Sequence, residues 1–296
     1  MDCAVNVGLR CQEVLMSVFE YQQGFPRDVV EVTRAVTFAE DAVELFHQDA
    51  RRLVLPGTEQ KAFFTAVVKL QNSVERWLAE RGSSGVSRLL RIQPRMSIAL
   101  FIWSASTNNL SLLRSLDIPK NDRYGRLATA LAAWHGHLDA LVYLSHHVPI
   151  QSLPHGVVDG AAARGHLDTV RFLCTCGASV WRPVNVAASC GHLHVVQYLH
   201  ANKIGRLLAT ALDNAVEGGH LNVVDYLRRH HVADTCSSRA FIAAVAKGHA
   251  AMVHYLVQEN LAPVTNSAID VAKFNGDHEM VQFLLSAGRR QSGRAE

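Results

Sequence analysis

The sequence lacks the features of a membrane-spanning or secreted protein. Its longest apolar run is MSIALFIW at 96–103, well short of the roughly 18 residues that a membrane-spanning helix needs. The first residues, MDCAVNVGLRCQEV, lack the basic start and apolar core of a secretory signal. We therefore expect an intracellular protein, cytoplasmic or nuclear, with no membrane partner.

Cysteine is too sparse and too scattered for a disulfide framework, with six in 296 residues, which fits a reducing compartment. The densest group combines C-x-C at 174–176 with C-x-H-x-H at 190–194, and these are zinc-ligand types. The repeat described below places the two halves at opposite ends of a helical hairpin. We therefore predict that Cys174, Cys176, Cys190, His192 and His194 hold no metal, and we predict no cofactor.

Catalytic motifs are also missing. The chain contains no Gly-rich phosphate loop, no G-x-S-x-G elbow, no H-E-x-x-H and no kinase-type motif. We therefore predict that the protein is not an enzyme.

Charge is uneven along the chain although the formal net charge is only +3. Residues 81–126 contain 8 bases and 2 acids, whereas residues 127–296 contain 13 bases and 12 acids. A basic stretch can attract nucleic acid or an acidic surface, but no nucleic-acid motif accompanies this one. A solvated face is the preferred interpretation, and nucleic-acid binding remains the alternative function.

What the sequence does contain is a repeat. Strings such as GHLDTVRFL (165–173), CGHLHVVQYL (190–199) and GHLNVVDYL (219–227) recur at intervals of 26 to 29 residues. Asn108 stands 28 residues before the first glycine of the series and can replace it, because Asn tolerates a left-handed backbone. The series therefore has seven marks: Asn108, Gly136, Gly165, Gly191, Gly219, Gly248 and Gly276.

Each mark has the same surroundings. A small residue, Ala in six units and Ser104 in the first, stands four positions before it, and apolar residues follow at helical spacing. The pattern predicts a first helix that ends at the mark and a second helix that buries one stripe. Because a pair of short helices cannot bury its apolar face alone, the period predicts stacked helical hairpins, an all-α solenoid.

The motif A-A-x-x-G-H-L-x-x-V-x-x-L, as in AASCGHLHVVQYL (187–199), resembles the ankyrin repeat. The period is shorter than the family's 33 residues, and RPVN, TALD and SAID replace its T-P-L-H. We therefore expect reduced or absent β-hairpin fingers. Pro183 suits a first helical turn, and Thr210 and Ser267 can cap helix starts.

Three regions follow from this resemblance. Residues 97–288 form the ankyrin-type solenoid of about seven repeats, residues 1–96 form a helical region that caps it, and residues 289–296 form a flexible basic tail. The histidine after most marks is expected to have a structural hydrogen-bonding role in the turn: His137, His166, His192, His220 and His249.

The resemblance implies a protein-binding scaffold or adaptor that holds an unidentified partner protein on its concave face, and we expect it to be monomeric. The family's variable contacts include the residues just before each mark. Trp134 and Arg164 are the predicted anchors, because Trp and Arg often dominate interface energy. The plainer alternative is that Trp134 packs on its neighbour and Arg164 is solvated. The candidate contact residues are Trp134, His135, Arg164, Cys190, Glu217, Lys247, Phe274 and Asn275.

Overall fold

The computed structural model describes residues 36–42, 58–82, 84–119, 122–205, 209–230 and 235–292. These described residues form helices and connecting turns, with no strand among them. The all-helical solenoid predicted from the repeat is confirmed, as is the reduction of the fingers in this part of the chain. Lys120 of the basic stretch and most of the proposed N-terminal cap lie outside the described residues.

The chain divides into two compact units, and the division between them falls within the repeats. It therefore does not bear on the predicted boundary between residues 96 and 97. The first unit comprises Met1–Ala132 and His137–Ser152. Among its described residues are a helical stretch at 36–42 and a 3₁₀ turn at Ile150–Ser152. The helices described in this unit are α1 (Thr58–Arg81), α2 (Ser84–Ile92), α3 (Met96–Ser106), α4 (Leu110–Ser115), α5 (Asp122–His135, whose last three residues are assigned to the second unit) and α6 (Leu138–Ser145).

Helix α3 is the centre of the first unit. It contains the longest apolar run of the sequence, and every residue from Ala99 to Ser106 is buried. A helix that is apolar all round needs neighbours on several sides. Helices α1, α2 and α4 supply them, and α4 also contacts α6.

The second unit comprises Ala133–Gly136 and Leu153–Glu296 and holds five hairpins. Its first helices are α7 (Val157–Ala163), α9 (Pro183–Ser189), α11 (Ala209–Gly218), α13 (Ser238–Ala246) and α15 (Asn266–Phe274). Its second helices are α8 (Leu167–Thr175), α10 (Leu193–Ala201), α12 (Leu221–Arg229), α14 (Ala250–Gln258) and α16 (His278–Ser292).

The first helices pack against one another in sequence order, α7 on α9, then α11, α13 and α15. The predicted small residue makes this close approach possible, because an alanine side chain adds little bulk between two helices. At all five positions this alanine is at most 1% exposed: Ala161, Ala187, Ala215, Ala244 and Ala272.

Each mark turns the chain between the two helices of its hairpin. Asn108 has a φ of 57° and Gly165 a φ of 76°, so Asn108 adopts the left-handed conformation predicted for it. In the Gly165 turn, the amide of His166 donates to the Ala161 carbonyl at 3.0 Å. The peptide chain is thereby reversed over a few residues.

Some helix ends differ from the prediction. Pro183 begins α9 as expected, but Ser267 lies inside α15, whose cap is Thr265. The Thr265 hydroxyl accepts a hydrogen bond from the Ala268 amide at 3.3 Å, so the helix begins one residue before Ser267. Thr210 is likewise the second residue of α11.

The final helix extends beyond residue 289, the predicted start of the flexible tail. Helix α16 runs to Ser292 because Gln291 binds the loop that precedes α15. Its Oε1 accepts from the Val264 amide at 2.9 Å, and its Nε2 donates to the Ala262 carbonyl at 3.3 Å. Residues 293–296 lie outside the described residues.

Candidate protein-binding face

The candidate contact residues lie at the carboxyl ends of the first helices, and all of them belong to the second compact unit. We call this set the helix-end row. Trp134 and His135 end α5, and Phe274 ends α15. Arg164, Cys190, Lys247 and Asn275 each follow a helix directly, while Glu217 lies in the last turn of α11.

The two predicted anchors meet. The Arg164 guanidinium carbon lies 5.7 Å from the centre of the Trp134 ring, within the range of a cation–π interaction. Trp134 is half-buried and Arg164 is exposed. The tryptophan therefore offers a partly covered aromatic surface with a positive charge above it.

Histidines from the following repeat fix these helix ends. His192 Nε2 donates to the Ala163 carbonyl at 2.9 Å, and His220 Nε2 donates to the Ser189 carbonyl at 3.0 Å. In the first unit, His137 Nε2 donates to the Ser106 carbonyl at 3.0 Å. The predicted structural role of these three histidines is confirmed, but the hydrogen bond joins two repeats and does not close the histidine's own turn.

At the last two interfaces other side chains bind the equivalent carbonyls. Lys247 Nζ donates to the Glu217 carbonyl at 2.7 Å, and Asn275 Nδ2 donates to the Ala246 carbonyl at 3.1 Å. The Glu217 carboxylate lies 3.6 Å from Arg239 Nε. Two candidate contact residues thus also hold neighbouring repeats together.

Phe274 is the most exposed member of the row. Its side chain is 92% exposed, more than any other large apolar side chain among the described residues. Full exposure of a phenylalanine brings no folding stability, because the ring stays in water. The side chain is therefore available to a partner at the end of α15.

The local environment favours the neutral forms of His192 and Cys190. Burial lowers the pKa of His192, as do the nearby charges of His194, His220 and Arg164, while the hydrogen bond to Ala163 partly offsets the shift. Burial raises the pKa of the Cys190 thiol. Because the thiolate is the reactive form, Cys190 is a poor nucleophile and a poor metal ligand.

The predicted absence of a metal site was based on the separation of two groups of ligand types. In the part of the chain that the structure describes, no three His, Cys, Asp or Glu side chains lie close enough together to hold a metal ion. Burial raises the pKa of Cys174 to about 11, which disfavours the thiolate that zinc requires.

One exposed pair was not found by sequence reasoning. Val180 and Trp181, in the loop between α8 and α9, are 38% and 39% exposed. The loop lies between two periodic segments and has no periodicity of its own, so spacing does not distinguish these side chains. A tryptophan in a loop was the only available signal.

Comparison with known proteins identifies the repeats. Residues 159–237 match the family of ankyrin repeats as three copies. Among solved structures, the ankyrin repeat domain of human ASB11 is similar with a TM-score of 0.53 and 18% sequence identity, over 63% of this chain and 96% of that chain. No curated protein matches.

The chain therefore contains ankyrin repeats, and its helical hairpins form the ankyrin-type solenoid. Ankyrin repeats are generally protein–protein interaction modules and typically carry no catalytic function. No described helix is both long and apolar enough to cross a bilayer.

Proposed function

We propose that this protein is a non-catalytic scaffold or adaptor that binds a partner protein across the helix-end row, on the concave face of its ankyrin repeats. The observation that carries the proposal is the exposure of Phe274, 92% of whose side chain meets water at the end of a first helix. The compartment that fits such a protein is intracellular, and a monomer suffices for binding.

The Trp134 and Arg164 pair supports the same face. Buried aromatic and arginine side chains most often supply the large energies at protein interfaces, and here one of each type is already in contact at 5.7 Å. The hydrogen bond from His192 to the Ala163 carbonyl adds rigidity to the helix end beside Arg164. A rigid surface loses less conformational entropy when a partner binds.

The basic stretch at 81–126 offers a weaker case. Arg126 Nε lies 3.2 Å from the Asp122 carboxylate, and Arg114 lies over the Tyr143 ring at 6.0 Å. Charges that already have partners within the protein contribute less to binding phosphates. Nucleic-acid binding therefore stays a prediction that the experiment below also tests.

The test is affinity capture from cell extract with the full chain and matched variants. Trp134→Ala combined with Arg164→Glu, and separately Phe274→Ala, should each reduce the amount of the same partner protein that is captured. Leu285→Ala is the control, because Leu285 is a 43% exposed apolar side chain on α16, a second helix.

Unchanged melting and circular dichroism must accompany the loss, since an unfolded variant captures nothing for trivial reasons. If the folded row variants capture every partner of the wild type, the proposal is wrong. Partners that are instead lost on nuclease treatment or at moderate salt would indicate the nucleic-acid alternative.

A further inference from the structure

The loop between α8 and α9 exposes two consecutive large apolar side chains, Val180 and Trp181. Among the described residues no other neighbouring pair of large apolar side chains is exposed in this way. The Arg182 guanidinium carbon lies 3.9 Å from the centre of the Trp181 ring. We call residues 177–182 the tryptophan loop.

The tryptophan loop is held in place at both ends. At its start the Ala178 amide donates to the Leu173 carbonyl at 2.9 Å, and a hydrogen bond of 2.5 Å joins Ser179 Oγ to His155 Nδ1. At its end the Arg182 amide donates to the Asp159 carboxylate at 3.0 Å. Asp159 itself is completely buried.

Asp159 therefore fixes the loop without contributing surface charge. Burial raises its pKa, and the amides of Arg182 and Trp181 together with the nearby charges of Arg182 and His155 lower it in part. A carboxylate buried beneath a loop is retained when it satisfies backbone amides that would otherwise lack partners. The loop is thus preorganised, and binding to it loses little conformational entropy.

The loop segments around the tryptophan loop contain basic residues but no acidic ones. A β-carbon added to Gly205 would lie 3.6 Å from the ring of Pro183, so the loop containing Lys203 adjoins the start of α9, next to Arg182. Residues 153–156, 176–182 and 202–205 contain Arg182 and Lys203 but no Asp or Glu. Among the described residues, no ion pair links the Arg182 guanidinium to a carboxylate.

We propose that the tryptophan loop is a second docking site, separate from the helix-end row, for an acidic peptide segment that carries an apolar side chain. The apolar side chain packs against Val180 and the exposed part of Trp181, and the carboxylates pair with Arg182 and Lys203. Arginine over tryptophan is a combination typical of interface hot spots, and its guanidinium binds carboxylates in a bidentate manner.

A nucleic acid fits this site less well. Proteins that bind single-stranded nucleic acid stack its bases on aromatic side chains and follow its many phosphates with a positive groove. Residues 127–296, with 13 bases and 12 acids, have almost no excess of positive charge for such a groove. Two cations, Arg182 and Lys203 of the neighbouring loop, match a short acidic peptide better than a phosphate chain.

The test uses the full chain and fluorescein-labelled peptides in which glutamates flank one leucine, phenylalanine or tryptophan. Fluorescence anisotropy should show binding by at least one acidic peptide, and replacing its glutamates by glutamines should weaken binding about tenfold or more. Trp181→Ala and Arg182→Glu should each weaken binding by about tenfold. Arg182→Gln removes the positive charge but keeps the backbone amide that donates to Asp159. If Trp181→Ala lowers the melting temperature, the peptide affinity of Arg182→Gln tests the proposal in its place.

Two controls separate this site from the helix-end row. Arg290→Glu changes the net charge by the same amount as Arg182→Glu but on helix α16, and Trp134→Ala combined with Arg164→Glu alters the row. Both should leave peptide affinity unchanged, while the Trp181 and Arg182 variants should still capture the partner of the helix-end row. The proposal is wrong if no acidic peptide binds, or if the loop variants bind the peptide as well as wild type does. It is also wrong if a single-stranded oligonucleotide competes with the labelled peptide for binding to the wild-type chain.

Discussion

The ring of His192 occupies the space beside Gly165 where any other residue would place a β-carbon. A β-carbon built on Gly165 would lie 2.6 Å from His192 Nδ1, a separation that no non-bonded carbon and nitrogen tolerate. The glycine at the mark thus has two functions, a left-handed turn within its own repeat and a space for the histidine of the next. The same relationship joins Gly136 to His166.

Replacing Gly165 by alanine should therefore cost more than backbone strain. We expect Gly165→Ala to lower the free energy of unfolding by about 2–5 kcal/mol, from left-handed strain together with the clash against His192. The matched control is Gly276→Ala, because Gly276 has a similar φ of 72° but no atom within 4 Å of its added β-carbon. That variant should lose about 1–2 kcal/mol. Urea denaturation distinguishes them, and equal losses would refute the second function of the glycine.

The histidine hydrogen bond should be measurable by itself. His192→Leu leaves the Ala163 carbonyl without its donor, which should cost about 1–3 kcal/mol. His192→Gln retains an N–H donor and should recover part of that loss in the same denaturation experiment. If the leucine variant proves as stable as wild type, the hydrogen bond between repeats contributes nothing to stability.

Stability should decrease in mild acid. Burial lowers the pKa of His192 and of His137 below the value of the unfolded chain, so the unfolded state binds more protons as the pH falls below about 6.5. The stabilisation is therefore present above that pH and lost as the pH falls through the folded-state pKa. Urea midpoints at successive pH values should show the decrease.

His192→Gln isolates the histidine contribution. Asp159 acts in the opposite direction, because burial raises its pKa and its protonation in acid favours the folded state. The variant leaves Asp159 unchanged, so its stability should depend less steeply on pH than that of wild type near pH 6. Parallel curves for the two proteins would show that His192 does not titrate as described.

Core substitutions should follow burial on the second helices. Leu199 is completely buried, whereas Leu193 is only half-buried, although both match the apolar pattern of the repeat. Leu199→Ala should cost about 2–5 kcal/mol through the cavity that it leaves, and Leu193→Ala should cost clearly less. Thermal melts of the two variants provide the comparison, and the reverse order would contradict the packing.

The repeat could be predicted from the sequence because its cause is local and recurs. The mark, the small residue four positions before it and the spaced apolar residues recur seven times, with Gly and Ala in six of the seven units, so each unit supports the interpretation of the others. The partner of His192 could not be predicted in this way. Its acceptor, the Ala163 carbonyl, lies in the preceding repeat, and a sequence pattern does not show which backbone atoms face each other across a stack.

Loop side chains were less predictable still. The backbone amides of Trp181 and Arg182 are bound by Asp159, which lies 22 and 23 positions earlier in the chain, and no periodic signal connects them. The end of α16 was missed for a related reason, since Gln291 reaches back to Val264 and Ala262. Such contacts depend on the packing of a particular loop and not on the repeated motif.

Photo-crosslinking at the helix-end row tests the proposed binding face most directly. Replacing Phe274 by p-benzoylphenylalanine in the full chain should leave the fold intact, because the side chain is 92% exposed. Irradiation in cells should then give a discrete adduct with a partner protein, whereas the same replacement at Leu285 should give none. No adduct from Phe274, or the same adduct from Leu285, would show that partners do not bind across the helix-end row.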